Sequence, residues 1–375
     1  MRRKRSMQKA RCAERCLGIE ISGIRKLFES AGPDSINLGL GQPDFDTPGH
    51  IKEGAIAAIR EGKTGYTPNM GIPELREAIS RKFKNENNLS YSPDQIIVTA
   101  GASEALHIIM HALVEQGDRV LYADPGFVSY GALAVLAGGR PQGVPLDSRM
   151  HIDVESAKEM MDGSRLFVLN SPANPTGAVE PKENIRAIVE YANDRGVTVV
   201  SDEVYEHFIY GPKHWSAALF GEDVITVNAA SKTYAMTGWR LGYLAGPKEY
   251  VEQALKVHQY CQACATSISQ YAALTAYCGP QDCVAAMREE YRARRDYFYG
   301  ELTGMGFSFP MPEGAFYMFV PFGKDLTARI LKSGVVIVPG NAFGCNAPEY
   351  ARMSYATSRS TLKAAVERIR KVMEG

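Results

Sequence analysis

"VTVVSD" (197–202) runs Val197, Thr198, Val199 and Val200 together, adds the small Ser201, and ends on a carboxylate, Asp202. β-Branched side chains favour extended backbone. The run lacks the polar alternation of a strand with one wet face, so it reads as a strand buried on both faces. Five similar runs recur with helical stretches between them: "QIIVTA" (95–100), "DRVLYA" (118–123), "RLFVLN" (165–170), "VITVN" (224–228) and "LGYLAG" (241–246). A weaker run, "PQGVP" (141–145), makes a seventh. The expected fold class is α/β, a mostly parallel seven-stranded sheet covered by helices.

At 375 residues the chain exceeds the roughly 250–300 residues at which single cores stop growing, which predicts two domains. After about residue 285 come a basic helix, "MREEYRARRDYFYGEL", then "GAFYMFV", "GVVIVPG", "YARMSYA" and a closing helix, "STLKAAVERIRKVM". This texture predicts a smaller α+β domain over 285–375 and a large domain over 46–284. Residues 1–45, helical in "ISGIRKLFESA" and broken at "GLGQPDFDTPG", are expected to join the small domain.

Lys plus Arg and Asp plus Glu number 42 each, so no global field draws the chain to nucleic acid or an anionic membrane. The expected partners are small molecules and a second copy of the chain. No run approaches the roughly 18 apolar residues of a membrane span. "MRRKRSMQKARCAERC" is basic without the apolar segment of a secretory signal, which points to the cytoplasm. Seven scattered cysteines suit reduced thiols better than a disulfide framework.

Ligands of a parallel sheet bind beyond the carboxyl ends of its strands, and four stretches fall there. In "TAGASEALHIIMHAL" a glycine turn leads to a helix opening at Ser103, a place for an anion such as phosphate. In "NSPANPTG" (170–177) two prolines flank Asn174 and stiffen the loop that presents its amide. Asp202, at a buried strand end, needs a cationic partner such as a pyridinium N–H or an arginine, and Tyr205 follows one turn later. In "NAASKTYAMTGWRLGY" (228–243) Lys232 stands among Ala229, Ala230 and Ser231, and Arg240 offers a forked donor for phosphate. A lysine for an aldehyde, an acid for a ring nitrogen, Asn174 and Tyr205 for a ring hydroxyl, Ser103 and Arg240 for a phosphate: these parts describe pyridoxal 5′-phosphate.

"SKTYAMTGWRLGY", "NPTG", "SDEVY", "YTPNMGIPELREAI", "GQPDFDTP" and "RMSYATS" resemble, in the same order and over nearly the whole chain, the motifs of class I aminotransferases of pyridoxal-phosphate fold type I. "IEISGIRK", "GQPDF" and "LKVHQYCQACATSISQ" are similar to the subgroup holding N-acetyl-diaminopimelate and broad-specificity aspartate or aromatic aminotransferases. The resemblance implies that Lys232 carries the cofactor and moves the substrate proton, that Asp202 pairs with the ring nitrogen, and that Asn174 and Tyr205 bond the ring hydroxyl. It implies that Gly101, Ala102, Ser103 and Arg240 hold the phosphate and that Phe127 stacks on the ring. Tyr66 matches a tyrosine that reaches the phosphate of the neighbouring subunit of a homodimer. Arg352, with Asn174 and the Gly41 backbone, matches the clamp on the substrate α-carboxylate.

Two positions depart from the pattern. Ala229 stands where many relatives have a phosphate-binding serine, with Ser231 nearby. Ser103 stands where some aspartate-selective relatives carry a lysine for the distal carboxylate. The implied activity is a ping-pong amino transfer between an aromatic, bulky apolar or acidic α-amino acid and a 2-oxo acid such as 2-oxoglutarate. "ISGI" (21–24) and "GAFY" (314–317) are candidate walls of the side-chain pocket, and their apolar character favours bulky apolar substrates. The same anchors serve other pyridoxal-phosphate reactions, such as that of a β-lyase. A catalytically silent ligand-sensing protein of this fold usually adds a DNA-binding module, for which the motifs leave no room.

Other patterns carry less. "CQAC" (261–264) and "CAERC" (12–16) sit in helix-like stretches and read as buried cysteines, so no metal is expected. "HIIMH" (107–111) lacks the glutamate of a zinc-protease pattern and reads as core or interface histidines. "GLGQPD" has Asp44 where a dinucleotide fingerprint needs its third glycine.

Overall fold

A computed structural model describes residues 12–19, 32 and 34–375. The "ISGI" stretch and the basic residues 1–11 lie outside the described residues. All seven apolar runs are strands of one sheet: β2 (Ile96–Thr99), β3 (Arg119–Asp124), β4 (Arg140–Pro145), β5 (Leu166–Asn170), β6 (Thr198–Asp202), β7 (Val224–Ala229) and β8 (Gly242–Ala245). β1 (Ile36–Asn37) lies elsewhere. Spatial order across the sheet is β2-β8-β7-β6-β5-β3-β4, with β8 antiparallel to both neighbours and the remaining pairs parallel.

Successive side chains of a strand point to opposite faces, and both faces are apolar. On one face Ile97, Val120, Val168, Val200 and Val227 pack with the helix Ala102–Leu113. On the other, Leu121, Phe167, Leu169 and Val199 pack with the helix Lys182–Asp194. Burying each such side chain contributes about 1.5–3 kcal/mol. The registers Asn170 opposite Asp202 and Asp202 opposite Val227 bring the carboxyl ends of β5, β6 and β7 level.

The C-terminal part holds β9 (Tyr317–Val320), β10 (Val335–Val336), β11 (Val338–Pro339) and β12 (Ala351–Ser354). β12 lies between β11 and β9, antiparallel to each, while β1 pairs in parallel with β10. The helices Asp282–Gly304, Gly323–Lys332 and Arg359–Glu374 supply Phe298, Ile330 and Leu362 to the adjoining core. The helix Asp282–Gly304 runs through 284/285. Val284 packs with Leu75 and Ile79, whereas Met287 and Tyr291 pack with Phe316 and Met353.

His107 and His111 are not core residues: the first is half-buried and the second exposed, their rings 4.3 Å apart. Leu106, Ile108, Ile109 and Met110 occupy the buried side of that helix, and the histidines take its outer flank. Nor are the cysteines of the two pairs buried. Cys12, Cys16 and Cys261 are exposed and Cys264 is half-buried, all as free thiols. Among the described residues no helix is long and apolar enough to cross a membrane.

Candidate active site

Asp202 ends β6, buried, and accepts a hydrogen bond from the Tyr130 hydroxyl on Oδ2 at 2.8 Å. Its Oδ1 has only a long contact, 3.4 Å, from the Val204 amide. Burial pushes the carboxyl up to about 6, against the opposing pull of Tyr130 and Val204. Beside it, Asn170 at the end of β5 organises the proline-bounded loop. Its Nδ2 donates to the carbonyls of Asp202 (2.9 Å) and Pro172 (3.2 Å), and its Oδ1 accepts from the Asn174 amide (2.9 Å).

Lys232 sits in the helical turn Ala230–Thr233 that follows β7. Its Nζ donates to the Gly41 carbonyl at 2.6 Å and lies 5.8 Å from the Tyr205 ring centre. Burial lowers its pKa to about 8, helped by the charges of Arg352 and Arg240. A free amine is therefore accessible near neutral pH. Glycine is required at 41, because a Cβ there would lie 2.3 Å from the Tyr317 hydroxyl oxygen.

The helix expected to open at Ser103 begins at Ala102, with Gly101 at the N-cap and no side-chain cap. Gly101 has φ +82°, and a Cβ on it would meet Arg240 Nη2 at 2.5 Å. Arg240 itself has φ +52° and donates to the carbonyls of Thr237 (2.9 Å) and Ala100 (3.3 Å). An uncapped helix start beside a guanidinium has the free N–H donors and the positive charge that suit an anion.

Arg352, on β12, is 1% exposed. Its Nη1 donates to Asn174 Oδ1 (2.9 Å) and its Nη2 to the Gly39 carbonyl (2.6 Å), while Nε has no partner. The guanidinium lies 4.4 Å from the Tyr317 ring centre and 4.9 Å from that of Phe343. Tyr205 and Tyr317 share a hydroxyl contact of 2.7 Å. Burial, with Tyr317 beside it, pushes the Tyr205 phenol well above its ordinary value, so it keeps its proton and can donate.

These groups open on one cleft of about 290 Å³. Gly41, Ala102, Ser103, Phe127, Asn174, Asp202, Tyr205, Lys232, Arg240 and Arg352 all line it. Gly101 lies buried behind the wall, and Tyr66 stands 92% exposed on the surface. Ala229 is buried and lines the cleft, as does the hydroxyl-bearing Ser231 two residues on. Sequence reasoning missed Tyr130, three residues after Phe127 in "DPGFVSY" (124–130), and Asn170, the first residue of the quoted run "NSPANPTG". It named Tyr317 only as a pocket wall. Tyr130 follows Phe127 at helical spacing, the one local signal for it.

Residues 33–369 match the family described as aminotransferase class I and II. Over 374 residues the chain is 45% identical to a probable aspartate aminotransferase of Methanocaldococcus jannaschii, covering 96% of this chain and 100% of that protein. It is 41% identical over 373 residues to aromatic-amino-acid aminotransferase 2 of Thermococcus litoralis, covering 94% and 96%. The solved structure of aspartate aminotransferase from Thermus thermophilus with maleate matches with a TM-score of 0.93 at 38% identity, covering 96% of this chain and 99% of that one. The chain belongs to the class I and II aminotransferases, and it is a pyridoxal-phosphate-dependent enzyme that moves an amino group between an α-amino acid and a 2-oxo acid.

Proposed function

We propose that the cleft around Lys232 is the transamination site, with the residues in the roles the motifs imply. One observation carries this reading: a lysine of lowered pKa, a buried acid with an underused oxygen, and a buried arginine with an unpartnered Nε face the same space. The donor set fits pyridoxal phosphate. The bare Cα of Gly101 keeps Arg240 and the uncapped helix start together for the phosphate, with Ala102, Ser103 and Ser231 on the same wall. Asp202 Oδ1 is free for a ring nitrogen, Asn174 and Tyr205 for a ring hydroxyl, and Phe127 for the ring face. When bound, the cofactor supplies an aldehyde that takes up the amino group and a ring that withdraws electrons from the substrate Cα.

The chain's own part is binding and proton movement. Arg352 holds the α-carboxylate through Nε and an Nη, beside Asn174 and the Gly41 backbone. Lys232 Nζ, with its pKa near 8, is placed to take the Cα proton and would return it to the cofactor carbon joined to the other side of the amino nitrogen. Asp202, ionised, keeps the ring nitrogen protonated. Loss of turnover and of the visible band of lysine-bound cofactor in Lys232→Ala tests this role. Retained turnover would sink it.

We further propose aromatic or bulky apolar amino acids as the preferred donors. Among the described residues, the cations lining the cleft are Lys232, Arg240 and Arg352, and each has a role already. Leu40, Leu106, Val204 and Tyr317 leave the rest of the wall largely apolar. Gln42 remains as a neutral donor for the distal carboxylate of an acceptor such as 2-oxoglutarate. Aspartate is the second reading, favoured by the name of the Methanocaldococcus jannaschii relative. Half-reactions with single amino acids, followed at the cofactor band, separate the two. Aspartate or glutamate faster than phenylalanine, tyrosine and leucine by more than about tenfold, or about 1.4 kcal/mol, would overturn the apolar reading.

The working unit in this reading is a cytoplasmic homodimer, consistent with scattered free thiols. Tyr66, 92% exposed in one chain, is the residue we assign to the phosphate site of a partner. A fully active monomer in sedimentation would refute it. Within each chain, we take 46–284 as the large domain and 285–375 as the small one, with 1–45 joined to the latter through the pairing of β1 with β10.

A further inference from the structure

Glu104 and His258 form a buried polar pair that neither lines the cleft nor faces solvent. His258 is fully buried on the helix Lys248–Cys261, and its Nδ1 lies 2.8 Å from Glu104 Oε1. The second carboxylate oxygen of Glu104 accepts the Ala100 amide, at the turn that leads into Gly101 and the anion-binding helix start. On its other side, His258 Nε2 lies 2.8 Å from the Asn69 carbonyl, three residues after Tyr66. Both ring nitrogens thus meet oxygen atoms, one on each side of the ring.

The loop that carries Tyr66 has further ties to this region. The Asn69 side chain donates to the Ala263 carbonyl, and the Val98 amide, on the strand leading to Ala100, donates to the Met70 carbonyl at 2.9 Å. A buried histidine and glutamate would be replaced by apolar side chains at little cost if packing were their only task. Here their bonds end on two backbone segments that serve two different clefts.

We propose that His258, through Glu104 and Asn69, is a positioning residue that holds the phosphate turn of its own cleft in register with the Tyr66 loop that completes the partner's. The pair thus links the two cofactor sites of the dimer. This rests on the composite-site reading of Tyr66, and the test keeps the two apart.

Hybrid holoenzyme dimers are prepared with one Lys232→Ala subunit, so that the visible band reports only the unaltered subunit's cleft. Loss of that band is followed after dilution into a cofactor scavenger. Adding His258→Leu to the Lys232→Ala subunit leaves the reporting cleft's own residues untouched, yet loss is expected to be at least about fivefold faster, the size of one buried hydrogen bond. His258→Gln, which keeps amide N–H donors, is expected to give a smaller acceleration in the same direction. Tyr66→Phe in the same subunit is the reference arm. If Tyr66→Phe accelerates loss while both His258 variants match the control, the inference fails and the composite site stands. If none of the three changes the rate, the composite reading fails and takes the inference with it.

Discussion

The Tyr130 hydroxyl donates to Asp202 Oδ2 at 2.8 Å, and both side chains are shut away from solvent. The bond favours the ionised carboxylate, the form that can pair with a protonated ring nitrogen. Burial already pushes this carboxyl up to about 6. Tyr130→Phe should push it further, so the acid limb of kcat/KM is expected to move up by roughly half to one pH unit. A pH–rate profile with an unmoved acid limb would remove Tyr130 from this role.

Asp202 also bears on stability in the cofactor-free protein. Its folded pKa, about 6, lies above its ordinary 3.8, so the folded state holds the proton more tightly than the unfolded chain. That contribution is complete below about 4 and is lost as pH rises through about 6. Asp202→Asn, which cannot ionise, is therefore expected to gain on the parent across this window, reaching on the order of 1–3 kcal/mol above it. Thermal unfolding of both apoproteins at pH 4 and pH 7 checks the sign. An equal difference at the two pH values would contradict it.

Arg352 binds through a planar fork, and lysine offers one point charge. Arg352→Lys should raise KM for the amino acid about 10- to 100-fold, or about 1.4–2.8 kcal/mol. Cofactor content should stay intact, since Arg352 touches Asn174, Gly39 and two aromatic rings but not the phosphate wall. Matching KM values in the two proteins would take Arg352 out of substrate binding.

Gly101 is held at φ +82° with Arg240 against its bare Cα. Alanine there costs about 1–3 kcal/mol in backbone strain alone, and its methyl displaces the guanidinium. Gly101→Ala is expected to weaken cofactor binding by about tenfold or more, read by titrating the apoprotein at the visible band. Unchanged affinity would show that the turn is not part of the phosphate site.

The sheet was legible because its signal is local. A run such as Val197–Val200 carries its own β-branched, two-face-buried pattern, as do Ile96–Thr99 and Val224–Val227, whereas the edge strand Arg140–Pro145 gave only a weak signal. Lys232, Asp202, Asn174 and Arg240 stood out for a related reason, as functional groups just past strand ends or within short loops, where ligands of parallel sheets bind. The flank taken by His107 and His111 was not legible, since two polar residues one turn apart look alike on the inner or outer side of a helix until it docks.

The partnerships inside the protein were decided by tertiary structure alone. Tyr130 and Asp202 are 72 residues apart, Arg352 and Asn174 178, and His258 and Glu104 154. No short-range period links such pairs, because their contact depends on which helix lies on which face of the sheet and on how β12 meets the loop after β5. The chain by itself determined which residue types stand at strand ends. Packing decided which oxygen each nitrogen meets, and with it that Asp202 is held at about 6, Lys232 at about 8, and the Arg352 Nε buried without a partner.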